Sequence, residues 1–260
     1  MSGPVQNPKK YEWAVDIEDL SFRYGHGPEA LRHINLRIRP GERVALIGPN
    51  GAGKSTLLMH LNGVLRGTGR VRICGMDVSN GFLPQIRSLV GLVFQDPDDQ
   101  LFCPTVFEDV AFGPMNLGYS KEEVLERVHR SLRQVGLEQH QNSSAYHLSG
   151  GEKKRVALAT VLVLDPEILA LDEPSANIDP KHRRRLLNWL SAFPKTQILA
   201  THDLDFALEI CERCVLLNAG GIVTDGPSRE ILYDKDLLEA NDLELPFCLQ
   251  GRPEGGEREG

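Results

Sequence analysis

No stretch of this chain is long and apolar enough to cross a bilayer. The longest uncharged apolar run, residues 156–164, falls far short of the roughly 18 residues that a spanning helix needs. Nor do residues 1–10 read as a secretory leader, since they are polar, carry two prolines and have no apolar core behind a basic start. The chain is therefore expected in the cytoplasm. Cysteine is scarce: Cys74, Cys103, Cys211, Cys214 and Cys248 make an odd count of five without a repeating framework. That argues against a disulfide scaffold and fits free thiols in a reducing compartment. Cys211-Glu-Arg-Cys214 has CxxC spacing, but no second CxxC or histidine pair completes a zinc site. It reads as a helix end running into an apolar strand at 214–217, with structural thiols.

Positive charge is in deficit, with 29 Lys and Arg against 36 Asp and Glu for a net charge of -7. A general nucleic-acid coat is excluded, no nucleic-acid partner is expected, and the basic run 182–185 reads as the wet face of a helix. Internal repeats are absent. What the 260 residues do contain is 41% apolar composition, enough for a substantial core. Short apolar runs alternate with helical patterns, the layout of an α/β fold with a mostly parallel sheet. Strands are expected at 15–22, 31–38, 43–47, 71–74, 90–94, 168–171, 197–200, 214–217 and 222–224.

No strand candidate falls between 94 and 168. A helix is expected at 121–135, capped by Ser120 with Glu123 and closed by Gly136, and another after Ser149. The segment reads as an all-helical insertion at about 96–165, its entry punctuated by Pro104, Gly113, Pro114 and Gly118. The organisation expected is a tail at 1–12, one domain at 13–240 and an extension at 241–260 whose last ten residues are unstructured.

The strand at 43–47 runs into Gly48-Pro49-Asn50-Gly51-Ala52-Gly53-Lys54-Ser55-Thr56, followed by a helix. Glycines at 48, 51 and 53 allow backbone N–H groups to turn inward around a phosphate. Lys54 would reach the β- and γ-phosphates and the Ser55 hydroxyl would ligate Mg²⁺, so ATP with Mg²⁺ is the expected ligand pair. A metal-side carboxylate is supplied at the end of a buried run by Asp172, while its neighbour Glu173 would take a proton from attacking water. Gln95 and His202 end neighbouring strands in the same way. In an open parallel sheet both would face the nucleotide, Gln95 touching water and Mg²⁺ and His202 the γ-phosphate.

Ser149-Gly150-Gly151-Glu152 precedes an apolar helical run and has the spacing of a reciprocal capping box. Lys153, Lys154 and Arg155 follow, crowding the positive end of the helix dipole, so an anion is expected nearby.

Together these motifs resemble the ATP-binding-cassette ATPases over nearly the whole chain. The resemblance implies a RecA-like P-loop NTPase with a mixed, mostly parallel sheet, an antiparallel β subdomain and an inserted helical subdomain. It further implies that Tyr24 stacks on adenine, that Ser149 to Gly151 grip the γ-phosphate held by a second subunit, and that Asp179 links the two sites. A homodimer packed head to tail would then share two nucleotides. The run 94–113, FQDPDDQLFCPTVFEDVAFG, is similar to the ATPases of energy-coupling-factor importers, especially the cobalt and nickel group. This implies a peripheral subunit at the cytoplasmic membrane face, partnered by a transmembrane coupling subunit docked at 95–112 and by a substrate-capture subunit. A vitamin importer of related design is the alternative. Glu152 replaces the glutamine common in the signature loop, and Asn177-Ile178 stands where many relatives have Gly-Leu. A DNA-repair or chromosome ATPase would need a long coiled-coil insertion for which the gap is too short, and a stand-alone kinase would leave the signature loop, Asp179 and His202 without a common purpose.

Overall fold

The computed structural model describes residues 11–250, so the expectations for residues 1–10 and for an unstructured 251–260 lie outside the described residues. The chain opens with β1 (Val15–Arg23), β2 (Glu29–Ile38), β3 (Arg43–Ile47), α1 (Lys54–Leu61), β4 (Thr68–Ile73), β5 (Met76–Asp77), α2 (Leu83–Leu89) and β6 (Val90–Val93). Three helices follow without a strand: α3 (Val106–Asn116), α4 (Lys121–Val135) and α5 (Gly150–Leu162). The last part holds β7 (Ile168–Asp172), α6 (Pro180–Ala192), β8 (Thr196–Ala200), α7 (Leu204–Ile210), β9 (Arg213–Asn218), β10 (Gly221–Pro227), α8 (Ser228–Tyr233) and α9 (Lys235–Glu239).

Two sheets form. The larger has the order β10-β9-β3-β8-β7-β6, parallel from β9 to β6 with β10 antiparallel at its edge. The smaller has the antiparallel order β2-β1-β4-β5. Their sequences differ for a physical reason. β6, β7 and β8 are buried along their whole length, as expected of parallel strands covered on both faces, whereas β2 alternates buried and exposed positions because one face meets water.

The pleat distributes the larger sheet between two cores. Val44 and Leu46 of β3, with Ile168 and Ala170 of β7, pack toward the antiparallel sheet and α1. Ala45 and Ile47, with Leu169 and Leu171, pack on the other side against the helical segment. A register slip of one residue would exchange these faces, so the alternation locks the sheet between its two layers.

Local sequence explains the helix boundaries. Capping boxes start α3 at Thr105 with Glu108, α4 at Ser120 with Glu123 and α5 at Ser149 with Glu152. Gly136, at φ 67°, closes α4 in the left-handed region. The entry to the helical segment differs from the sequence expectation. Gly113 and Pro114 are not breaks but lie inside α3, where Pro114 is near the C-terminus and buried against the core. The Thr105 cap and the apolar face of Val106, Val110 and Ala111 outweigh the missing proline N–H. In the smaller sheet β4 begins three residues earlier than expected because Thr68 pairs with Ser21 across β1.

Candidate active site

Loops leaving the C-terminal ends of β3, β6, β7 and β8 converge on one edge of the parallel sheet, where ligands of open α/β folds collect. The loop after β3 is the phosphate cradle. Gly48 has φ 146°, and a Cβ there would stand 2.1 Å from the Leu217 carbonyl oxygen; Gly53 has φ 105°, and a Cβ would stand 2.6 Å from that of Ala30. Only glycine fits this backbone. α1 then begins without a side-chain cap and with no acidic residue in its first turn, which leaves its dipole and amide groups to an anion.

Lys54 is buried and donates to the carbonyl oxygens of Gly48 at 2.7 Å and Pro49 at 3.1 Å. Burial lowers its pKa, while the carboxylates of Glu173 and Asp172 work the other way. Tyr24 is half exposed beside this loop. Its hydroxyl lies 3.2 Å from that of Thr56 and its ring meets Phe22 edge-on at 4.8 Å.

Asp172 ends β7 and is buried. Its pKa is raised, first by burial; the side-chain hydrogen bond with Ser55 opposes the rise and the charge of Glu173 adds to it. Asp172 Oδ1 is buried with no hydrogen-bond partner. A buried, unpartnered carboxylate oxygen beside a serine hydroxyl is a hard oxygen pair suited to Mg²⁺, so Ser55 and Asp172 fit that ion. Gln95, exposed on the loop after β6, lines with them one cleft of about 540 Å³ that also reaches Gly150 and Lys153.

Glu173 takes a left-handed backbone, φ 46°, held by its N–H on the Ala200 carbonyl at 2.8 Å. The conformation is costly for a non-glycine residue and is the kind of strain that surrounding structure must impose. It turns the carboxylate onto the end of β8. Glu173 Oε2 accepts from the Thr201 hydroxyl and the His202 N–H, both at 3.3 Å, and lies 2.8 Å from His202 Nδ1. Glu173 and His202 are thus a contacting pair.

The signature residues are arranged differently. Ser149 and Gly150 are exposed and Gly151 and Glu152 half-buried. The Ser149 hydroxyl donates to Glu152 Oε2 at 2.6 Å and accepts from the Glu152 N–H at 3.4 Å; that hydroxyl and the Ser149 N–H, which donates to the same oxygen at 2.8 Å, hold Glu152 below the usual carboxylate range. The expected anion beside the three following cations is in part the chain itself. Lys153 pairs with Asp98 at 2.7 Å, Lys154 donates to the main-chain oxygens of Glu173 and Ala176, and Arg155 donates to those of Gly151 and Val135. The dipole penalty is thereby offset within the fold. Asp179 caps α6, accepting from the N–H groups of Lys181 and His182, and the His182 ring holds its carboxyl below the ordinary range.

Four residues given no place in the catalytic site by the sequence carry much of this geometry. Thr201 is fully buried and joins Glu173 to the Asp203 N–H. Gln100 accepts from the Phe94 N–H and donates to the Ala157 carbonyl and the Thr160 hydroxyl, tying the Gln95 loop to α5. Arg183 binds Asp203 and Glu209, joining α6 to the segment after His202. Lys154 is the fourth. Of these, Thr201, adjacent to His202 at a strand end, and Lys154, one of three cations at a helix start, carry a sequence signal.

The description ABC transporter belongs to the family model that matches residues 31–176. This chain is a member of the ABC transporter family. It is 49% identical to the energy-coupling factor transporter ATP-binding protein EcfA of Methanothermobacter thermautotrophicus, an alignment covering 89% of this chain and 76% of that one. Among solved structures it is similar to cbiO1 of Clostridium perfringens, part of the ABC transporter complex cbiONQ, with TM-score 0.76, 35% identity and coverage of 88% of this chain and 94% of that one. It is also similar to an ATP-binding cassette solved as a dimer in a post-hydrolysis state with ADP and Pi, with TM-score 0.74, 29% identity and coverage of 83% and 99%. The cassette is an ATPase of the energy-coupling-factor type with a P-loop NTPase fold. Among the described residues no helix is long and apolar enough to cross a membrane.

Proposed function

We propose that this cassette is the ATPase of an importer for Co²⁺ or Ni²⁺, acting at the cytoplasmic face of the membrane as a homodimer whose two nucleotide sites each draw on both chains. One contrast carries the shared-site reading. Lys54, Asp172 and Glu173 are buried, whereas Ser149 and Gly150 are exposed and their polar groups contact only their own helix. A signature loop facing outward is half of a site, and the dimeric post-hydrolysis cassette supports its completion by a second chain.

In this reading Lys54 exchanges the Gly48 and Pro49 carbonyls for phosphate oxygens, and Tyr24 receives the adenine. Ser55, Asp172 and Gln95 hold Mg²⁺, which supplies neutralisation of phosphate charge. Glu173 accepts the proton of the attacking water. Thr201 and His202 aim its carboxylate, and His202, largely exposed, also faces the γ-phosphate. The partner's Ser149 hydroxyl turns from Glu152 to that same phosphate, and Asp179 at the start of α6 lies on the shared surface.

The membrane side is assigned to the segment 95–112. Phe102 and Phe112 are exposed and stack edge-on at 4.9 Å, with exposed Met115 close by in sequence on α3. An uncovered aromatic surface of this kind suits the coupling helix of a transmembrane subunit. The resemblance of residues 94–113 to the cobalt and nickel group supports a metal cargo, delivered to the membrane subunit by a separate capture subunit, and the likeness to cbiO1 of the cbiONQ complex supports action within a multi-subunit transporter.

Two experiments test the two parts. Ser149→Arg and Lys54→Ala chains are each inactive alone; mixed dimers recover one working site, and no recovery in well-formed mixed dimers refutes the shared site. Uptake of radiolabelled Co²⁺ and Ni²⁺ into vesicles of the complete transporter depends on this chain. Vesicles that concentrate a vitamin but neither ion refute the cargo.

A further inference from the structure

A cavity of about 430 Å³ lies between the end of α4, α5 and α6, behind Glu173 and apart from the phosphate loop. Its size is that of a small-molecule site. Leu158, Leu171, Leu186 and Trp189 form an apolar wall. Facing that wall are Arg155, Arg185 and Lys154, none of them in an ion pair with a carboxylate among the described residues.

Arg155 reaches only main-chain oxygens, those of Gly151 and Val135. Arg185, also on the lining, has no hydrogen-bond or ion-pair partner among the described residues. Burial lowers the pKa of Arg155; the Glu152 carboxylate opposes this and the nearby Arg185 charge adds to it, while Glu152, bonded to Ser149 and close to His140, forms no ion pair with either guanidinium among the described residues. Lys154 adds a third cation, again bonded to carbonyls alone, while Arg133, the fourth cation on the lining, pairs with Glu138. The carboxylates on the lining, Asp172 and Glu173, are engaged by Ser55 and by Thr201 and His202 respectively. His182 also lines the cavity, but its ring is committed to Asp179.

We propose that this cavity is an inhibitory site for a small amphipathic anion, an apolar ring or chain against Trp189 and Leu186 with its carboxylate or sulfonate between Arg155 and Arg185. Charge complementarity selects the head and the apolar wall the body. Inhibition follows from shared walls: Phe94, Lys154 and Asp172 line both this cavity and the cleft holding Ser55 and Gln95. An anion beside Lys154 competes with the Glu173 and Ala176 carbonyls for its ammonium, loosening the turn that aims Glu173.

The probe is 8-anilinonaphthalene-1-sulfonate. The chain has two tryptophans, so the full-length Trp13→Phe protein reports from Trp189 alone. Saturable binding of one probe per chain should quench Trp189, and Arg185→Glu should weaken binding at least tenfold. N-phenyl-1-naphthylamine, which lacks the sulfonate, should bind alike with and without that substitution. The sulfonate should slow ATP hydrolysis by the wild-type protein, while Arg185→Glu, with unchanged basal turnover, should resist it. Undiminished sulfonate binding to Arg185→Glu, or absence of Trp189 quenching, overturns the site. Full hydrolysis at probe saturation overturns its inhibitory role, and neither result bears on the mixed-dimer experiment.

Discussion

Replacing Lys154 with Met tests whether a helix of the inserted segment holds the catalytic turn in place. The Lys154 ammonium reaches from α5 to the main-chain oxygens of Glu173, at 3.3 Å, and Ala176. These oxygens flank the turn in which Glu173 sits at φ 46°, a conformation that costs about 1–3 kcal/mol and so needs outside restraint. Methionine keeps the length of the side chain and removes the charge. Each hydrogen bond to a charged donor contributes about 1.5–3 kcal/mol. Against this, the ammonium is partly buried and its pKa lowered chiefly by desolvation, a cost that methionine relieves. The net loss is set at roughly the value of one such bond, about 1.5–3 kcal/mol, which for a protein of this size lowers Tm by roughly 3–12 °C. Turnover should fall about tenfold or more, because a catalytic group displaced by 1 Å costs up to about a hundredfold. MgATP binding should be nearly unchanged. Differential scanning calorimetry, single-turnover hydrolysis and nucleotide titration measure the three quantities, and Lys154→Arg, which keeps the donors, should recover much of the loss. Unaltered Tm together with unaltered turnover in Lys154→Met refutes the restraint.

Other substitutions separate the neighbouring groups. Glu173→Gln should lower hydrolysis by about 10²- to 10⁴-fold, the range of a lost general base, with ATP binding intact; near-normal turnover rejects Glu173 in that role. Asp172→Asn should abolish Mg²⁺-dependent hydrolysis yet stabilise the nucleotide-free protein at neutral pH, because it removes a charge that burial disfavours. The sign is fixed by the raised pKa. Wild-type Asp172 takes up a proton as pH falls through that value, so the Tm advantage of Asn should shrink toward acid pH, and an advantage that grows there contradicts the assignment. Gly53→Ala should abolish nucleotide binding in a titration, since the added methyl meets Ala30 O at 2.6 Å at φ 105°. Wild-type affinity would show that the cradle tolerates a side chain.

The parts legible in the sequence are those set by local chemistry. The cradle at 48–55, the acid pair after β7 and the capping boxes of α4 and α5 each depend on residues within a few positions of one another, and their signals survive without knowledge of the fold. The course of α3 is hidden in the sequence for the opposite reason. Gly113 and Pro114 are local breakers, and only tertiary packing against Leu164 and the Val110 face reveals that the helix continues through them.

The run Lys153, Lys154 and Arg155 shows where local inference stops. Three cations at a helix start do require negative charge or oxygen nearby, and the structure supplies both. It draws them from residues 19 to 55 positions away: Asp98, Glu173, Ala176 and Val135. No spacing rule connects those positions, because the fold brings the loop after β6, the turn after β7 and the end of α4 to one end of α5. Much of the charge that suggests a ligand is therefore structural. Arg185 is the exception. It is exposed and lines a cavity with Arg155 without an ion-pair partner among the described residues, so that place can take an anion after the chain's own oxygens have been assigned, and it is there that a ligand outside the nucleotide site is to be sought.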